Sequence, residues 1–210
     1  MSKYAFVMFL TLVRAPLSIL AAVLLVVNAF HPSPALLASA IGILAVSALT
    51  DLFDGKLARK WKVSSRLGAL ADPLTDKVFY AATLPAAAFI AMFNEDSSHA
   101  IMLLGLDIIS ILRDQWVSFL RSVGSEYGAD VKANWSGKLR TIIGFPVIVI
   151  IHIQLGLEIF RRHVDSLEGV WIFPRELIFG LEIVLIAITL ISAFSYTARY
   201  APYLRKSAEH

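Results

Sequence analysis

Six stretches of the chain are apolar for long enough to carry a helix across a bilayer, which takes roughly 20 residues. They run from about Tyr4 to Asn28, Pro34 to Ala58, Leu67 to Phe93, Ala100 to Val123, Lys138 to Phe160 and Pro174 to Tyr200. Most lack the polar outer face that a helix in a water-soluble core presents to solvent. The connections are short, and no repeat, low-complexity tract or flexible linker interrupts them. The pattern predicts an all-α integral membrane protein, six transmembrane helices in one bundle, forming a single domain over residues 1–210. The first run is too long for a signal peptide and shows no small-residue cleavage site, so it is expected to stay as a span.

Composition supports this class. Of 210 residues, 58% are hydrophobic and 17% charged, with a mean hydropathy of +0.72, whereas soluble domains are about a quarter charged. There is no cysteine, which excludes a disulfide scaffold and thiolate metal ligation. The net charge is +3, and the basic residues cluster beside the spans. That placement suits anionic membrane lipids and gives no reason to expect nucleic acid as a partner.

Lys and Arg also set an expected orientation. Arg59, Lys60, Lys62 and Arg66 lie between spans two and three; Arg121, Lys132, Lys138 and Arg140 lie between four and five; Arg199, Arg205 and Lys206 lie in the tail. The His31–Pro34 connection has neither Lys nor Arg, and Asn94–His99 carries Glu95 and Asp96. Both termini and the loop after span two are therefore expected in the cytoplasm, in a multi-pass protein of the cell (inner) membrane.

Against this background, four aspartates stand out. Asp51 and Asp54 close span two, and Asp72 and Asp76 open span three. Ionisable groups inside spans are costly and usually line an interior or hydrated cavity. Spacings of three and four put each pair on one helix face, and a helical hairpin would bring all four carboxylates together at one depth. Carboxylates so close repel unless protons or cations offset them, and hard divalent cations such as Mg²⁺ prefer such all-oxygen surroundings. One aspartate at a helix end is ordinarily just solvated in the headgroup layer; four at these spacings point to a site. Gly55, Ala58 and Gly68 lack bulk, so a base or phosphate could approach the backbone, although small residues in membrane helices also serve packing. Arg59 offers a planar fork suited to a diphosphate.

The run Asp51-Leu-Phe-Asp54-Gly55-Lys-Leu-Ala58-Arg59, then Gly68, Asp72 and Asp76, resembles the CDP-alcohol phosphotransferase family (class I CDP-alcohol phosphatidyltransferases). It matches that signature, D-x2-D-G-x2-A-R-x8-G-x3-D-x3-D, at every fixed position. The resemblance implies two divalent cations, Mg²⁺ or Mn²⁺, bridged by Asp51 and Asp72. Asp54 would complete one site; Asp76 would complete the other and act as the catalytic proton acceptor. Gly55, Arg59 and Ser65 would contact the CDP-lipid, in the room left by Ala58 and Gly68. The implied reaction moves a phosphatidyl group from CDP-diacylglycerol to a small polar alcohol and releases CMP, with the active site facing the cytoplasm. Family members are often dimers, so a homodimer is compatible with the resemblance, but no interface is legible.

Looser motifs bear on the acceptor. Leu10-Thr11-Leu-Val-Arg14-Ala-Pro16 resembles the first span of bacterial phosphatidylglycerophosphate synthases, with Met8 where an asparagine is common and Thr11 kept as a candidate CDP-lipid contact. Asp72-Pro73-Leu-Thr-Asp76-Lys77 is similar to those enzymes and to single-domain cardiolipin synthases. Arg113-Asp114 with Arg121, and Gly137-Lys138-Leu-Arg140-Thr141, also resemble the glycerophosphate enzymes. Arg113, Arg121, Lys138 and Arg140 are thus candidates to bind an acceptor phosphate. The plainer reading makes three of them positive-inside anchors, with Arg113 in a structural pair with Asp107 or Asp114.

The leading acceptor is sn-glycerol 3-phosphate; phosphatidylglycerol, an inositol phosphate and serine are alternatives. Remoter readings are a membrane prenyltransferase, which lacks the Gly-x2-Ala-Arg continuation, and a divalent-cation carrier, whose ligands should lie near the midplane. His152 reads as a packing residue, Trp116, Trp135 and Trp171 as interfacial or packing residues, and Arg161–Glu176 as a solvated outer loop.

Overall fold

A computed structural model describes residues 2–63, 66–130, 134–163 and 173–209, except the side chains of Asp51, Leu52, Arg66, Ala69, Leu70, Asp72, Arg162 and His163. It contains six helices: α1 (Lys3–Phe30), α2 (Pro34–Trp61), α3 (Arg66–Phe93), α4 (Ser97–Glu126), α5 (Trp135–His163) and α6 (Arg175–Ala208). Among the described residues there is no strand.

Each helix covers one expected span, α6 starting one residue after Pro174, and each overruns it at one end or both, because a helix goes on past the apolar run until a cap stops it. Ser2, Ser33 and Asp96 cap the starts of α1, α2 and α4 with side-chain oxygens that accept backbone N–H bonds. At the end of α2, Lys62 turns left-handed (φ 55°) and the Val63 N–H bonds back to the Ala58 carbonyl at 3.1 Å. That cap carries α2 to Trp61, past the end of its apolar run. The largest overrun is in α6, which reaches Ala208 with Arg205 and Lys206 in its last turn, where cations complement the helix dipole.

Five helices are long and apolar enough to cross a membrane. The sixth, α4, carries Asp107, Arg113, Asp114 and Arg121. The surface is inverted relative to a soluble protein. Leu12, Ile19, Val23, Ile101, Ile142 and Phe194 are exposed, while Arg14, Asn28, Asp107, Arg140 and Glu182 are buried. This distribution belongs to a multi-span protein whose outer faces meet lipid.

Lipid tails are as apolar as leucine, so helices join through close packing rather than through hydrophobic transfer. Phe79 and Phe145 meet edge to face at 4.2 Å between ring centres. Gly144 lies under the Tyr80 hydroxyl and Gly156 under Leu37, where a Cβ would collide with the side chain above.

The packing differs from the simple hairpin that the aspartate spacing suggests. α1 packs against both α2 and α3, while α3 packs on α4, α4 on α6 and α6 on α5; α5 also touches α1, α2 and α3. Among the described residues, α1 is thus the element that both aspartate-bearing helices pack against most extensively.

Candidate active site

The shared helix brings specific side chains to the aspartates. From α1, the Thr11 hydroxyl lies 2.9 Å from Asp54 Oδ2 and 3.2 Å from the Val7 carbonyl. One turn on, Arg14 Nη2 lies 2.9 Å from Asp76 Oδ1 and also donates to the Thr75 hydroxyl. The Ser47 hydroxyl of α2 lies 3.2 Å from the Arg14 carbonyl, which fixes that turn of α1 against α2. One polar face of α1 therefore orients a carboxylate on each neighbouring helix.

Asp54 and Asp76 line a cavity of about 450 Å³ at the end of the bundle where α2 ends and α3 begins. Its other described walls are Gly55, Lys56 and Arg59 of α2, Pro73 and Lys77 of α3, Arg113, Asp114, Ser118 and Arg121 of α4, Gly137, Lys138 and Arg140 of α5, and Tyr196 of α6. Among described residues, seven Lys and Arg side chains face three Asp side chains there, so the cavity favours an anionic ligand. Its volume lies within the usual range for small-molecule sites.

The structure gathers most of the expected site residues. Asp54, Asp76, Gly55, Arg59, Arg113, Arg121, Lys138 and Arg140 all line this cavity. At Gly55 an added Cβ would sit 3.5 Å from Arg59 Nη1, an ordinary contact distance, so the guanidinium folds back over α2 at this glycine. Ala58 and Gly68 lie on α2 and α3 but not in the described wall, and Thr11 is buried behind Asp54. Asp51 and Asp72 are placed on their helices, with side chains outside the described residues, and Ser65 lies outside them altogether.

Asp54 and Asp76 supply two hard oxygen donors, the kind a divalent cation prefers, and no group of three or more His, Asp or Glu is gathered among the described residues. Asp54 and Asp76 are carboxylates on one cavity wall, and a chain without cysteine offers nothing to a thiophilic metal.

Opposite the aspartates, Asp114 gathers two arginines. Arg113 Nη1 lies 2.8 Å and Arg140 Nη1 3.3 Å from Asp114 Oδ1. Arg113 thus pairs with Asp114 and not with Asp107. Arg140 also stacks on Tyr80, 4.1 Å from the ring centre. Two Arg140 donors, Nε and Nη2, and the Nε atoms of Arg113 and Arg121 are buried with no hydrogen-bond partner among the described residues. Buried donors are normally satisfied, so these four are exceptions among the described residues.

Some of this could not be read from the sequence, and some could. Arg14 lies within the first span, and a buried charge there is itself a signal. Lys77, which lies 2.7 Å from the Ser118 hydroxyl, sits next to the last aspartate. Tyr196 has no local signal, since its place depends on how α6 crosses α4. His152 is buried, with Nδ1 2.8 Å from the Ile148 carbonyl. Trp116 and Trp135 are exposed, and Trp116 Nε1 donates to Thr197. Trp171 and most of the expected 161–176 loop lie outside the described residues, with α5 running to His163 and α6 starting at Arg175.

Residues 6–197 match the family model described as CDP-alcohol phosphatidyltransferase. The chain is 38% identical over 101 residues to the CDP-diacylglycerol–glycerol-3-phosphate 3-phosphatidyltransferase of Escherichia coli (strain K12), a stretch covering 47% of this chain and 52% of that protein. It is 36% identical over 136 residues to the protein of the same name in Sodalis glossinidius (strain morsitans), covering 61% of this chain and 71% of that one. The matched stretch thus spans about half the length of the Escherichia coli relative. By a match over nearly its whole length, this chain belongs to the CDP-alcohol phosphatidyltransferase family.

Proposed function

We propose that this protein is an enzyme that transfers the phosphatidyl group of CDP-diacylglycerol to sn-glycerol 3-phosphate, giving phosphatidylglycerophosphate and CMP. The observation that carries this reading is the single cavity in which Asp54 and Asp76 face Arg113, Arg121, Lys138 and Arg140. Two substrates, one bearing a diphosphate and one a phosphate, have complementary walls there.

In this reading Asp51, Asp54, Asp72 and Asp76 hold two divalent cations, Mg²⁺ or Mn²⁺. Such ions supply charge neutralisation at the diphosphate and at the leaving oxygen. Arg59, folded over Gly55, binds the diphosphate; Ser65, and Thr11 behind Asp54, are further candidates for the CDP-lipid, with Ala58 and Gly68 as the small residues that spare space for the nucleotide. Asp76 takes the proton of the attacking hydroxyl, and Arg14 keeps its carboxylate turned to the cavity. The acceptor oxygen bonds to the lipid-linked phosphorus, the bond from that phosphorus to the CMP oxygen breaks, and CMP leaves with the electron pair. Arg113, Arg121, Lys138 and Arg140 hold the acceptor phosphate, an interaction that serine could not provide. The names of the relatives point to the same acceptor.

The Lys and Arg distribution supports a cytoplasmic position for this end of the bundle, where CDP-diacylglycerol in the inner membrane and a water-soluble acceptor would meet. The test supplies purified protein and CDP-diacylglycerol with sn-glycerol 3-phosphate, inositol phosphate, serine or phosphatidylglycerol in turn, and follows CMP. Release that depends on sn-glycerol 3-phosphate is expected; release with another acceptor alone would overturn the assignment.

A further inference from the structure

Tyr196 of α6 stands where α4, α6 and the segment before α5 converge. Its ring centre lies 5.3 Å from the Arg113 guanidinium carbon and 5.3 Å from that of Arg121. Its hydroxyl oxygen accepts from Arg121 Nη2 at 3.0 Å and from the Asn134 backbone N–H at 2.9 Å. It forms part of the cavity wall although only 1% of it is exposed. Around it the fit is close. Asn134 Nδ2 donates to Ser195 at 2.6 Å, and a Cβ added at Gly137 would come within 3.0 Å of the Tyr196 oxygen and 3.5 Å of Arg113 Nη2.

Two guanidinium groups on one helix repel, and each long side chain gains rotamer entropy by swinging away. An aromatic face offsets the repulsion for both, and the hydroxyl fixes the direction of one fork. Asp114 and Ser192 also accept from Arg113, and both arginines line the cavity.

We propose that Tyr196 is the positioning residue of the acceptor site: its ring and hydroxyl hold Arg113 and Arg121 as one unit that takes a dianionic phosphate. This rests on the reading of the cavity as the site of a phosphate-bearing alcohol. Tyr196 acts through the arginines and does not touch the reacting atoms. It therefore governs acceptor binding and leaves the chemical step alone.

The test measures CMP release by the purified full chain at varied sn-glycerol 3-phosphate. Tyr196→Phe keeps the ring and should raise the acceptor KM on the order of fivefold, while Tyr196→Leu removes ring and hydroxyl and should raise it on the order of thirtyfold. In both, kcat and the KM for CDP-diacylglycerol should stay within about twofold, the pattern of lost uniform binding. Adding Tyr196→Leu to Arg121→Gln should cost less than in the wild-type background, because coupled residues are not additive. Tyr200→Phe, which removes only the bond to the Asp130 carbonyl in the same segment, should leave the acceptor KM unchanged. If Tyr196→Leu fails to insert, the near-isosteric Phe variant decides alone. Unchanged acceptor KM in the Tyr196 variants, or an equal rise in Tyr200→Phe, overturns the role of Tyr196. A wild-type chain that shows no release dependent on sn-glycerol 3-phosphate overturns the underlying reading and this role with it.

Discussion

Arg14 Nη2 lies 2.9 Å from Asp76 Oδ1, and the two differ sharply in surroundings: Arg14 is fully buried, whereas the Asp76 side chain is 28% exposed on the cavity. The arginine is therefore a fixed internal charge that holds a carboxylate at the edge of the space where chemistry is proposed. Removing one member of a buried charged pair typically costs about 3–5 kcal/mol, and the hydration of Asp76 places this case at the lower end. Arg14→Met should lower both thermal stability in detergent and kcat. Arg14→Lys, which keeps the charge but loses the fork that also reaches Thr75, should recover most of the stability and less of the kcat. A kcat unchanged in Arg14→Met, read beside melting curves, would show that Asp76 needs no such support.

Metal dependence follows from the donor chemistry. EDTA should abolish transfer and Mg²⁺ or Mn²⁺ should restore it, with Ca²⁺ a poorer substitute because it prefers more ligands at longer distances. Asp51→Asn, Asp54→Asn, Asp72→Asn and Asp76→Asn should each insert and purify yet lose at least about a hundredfold in kcat, the low end for general-base removal alone. Full turnover in excess EDTA, or near-normal turnover in Asp72→Asn and Asp76→Asn together, would contradict the assignment.

The cationic wall predicts a separate kinetic signature. Arg113→Gln, Arg121→Gln, Lys138→Gln and Arg140→Gln each remove a charge-assisted hydrogen bond worth about 1.5–3 kcal/mol. The acceptor KM should rise on the order of tenfold to a hundredfold, while that for CDP-diacylglycerol changes much less. Arg140 should show the additional structural cost of losing its partners Asp114 and Tyr80. Steady-state kinetics against both substrates check this, and an unchanged acceptor KM in all four would remove them from the site.

What the sequence made legible is what depends on local pattern. The six helices follow from the apolar runs; their overruns do not, since they depend on caps such as Lys62, whose left-handed turn no composition rule would assign to a lysine. The Asp, Gly and Arg side chains of the signature could be named because their separations are fixed along one chain. What stayed hidden depends on contacts between distant helices. The hairpin suggested by Asp51 to Asp76 omits α1, yet Thr11 and Arg14 orient Asp54 and Asp76 from that helix. Asp114 was one of two partners open to Arg113 on its own helix, and Arg140 of α5 and Ser192 of α6 meet the pair it forms. Tyr196 is 75 residues from Arg121 in sequence, and no spacing rule reaches that far.

Orientation can be tested without any assay of activity. The positive-inside distribution places Lys62 in the cytoplasm and Ser97 outside, and the chain has no cysteine of its own. Single cysteines at the two positions should react with an impermeant maleimide from opposite sides: Ser97→Cys on intact cells, Lys62→Cys only after permeabilisation. Labelling of both on intact cells would contradict the six-span arrangement.

The central claim is that one cavity brings the lipid-linked phosphorus and the hydroxyl of sn-glycerol 3-phosphate together for direct transfer. Its most direct test is a reaction of the purified protein with CDP-diacylglycerol and sn-glycerol 3-phosphate carrying ¹⁸O in its attacking hydroxyl, with lipid and nucleotide products weighed by mass spectrometry. Direct attack by that hydroxyl predicts phosphatidylglycerophosphate that retains the label in its new bridging oxygen, formed mole for mole with unlabelled CMP. Unlabelled lipid product, or CMP released without phosphatidylglycerophosphate, would contradict the account.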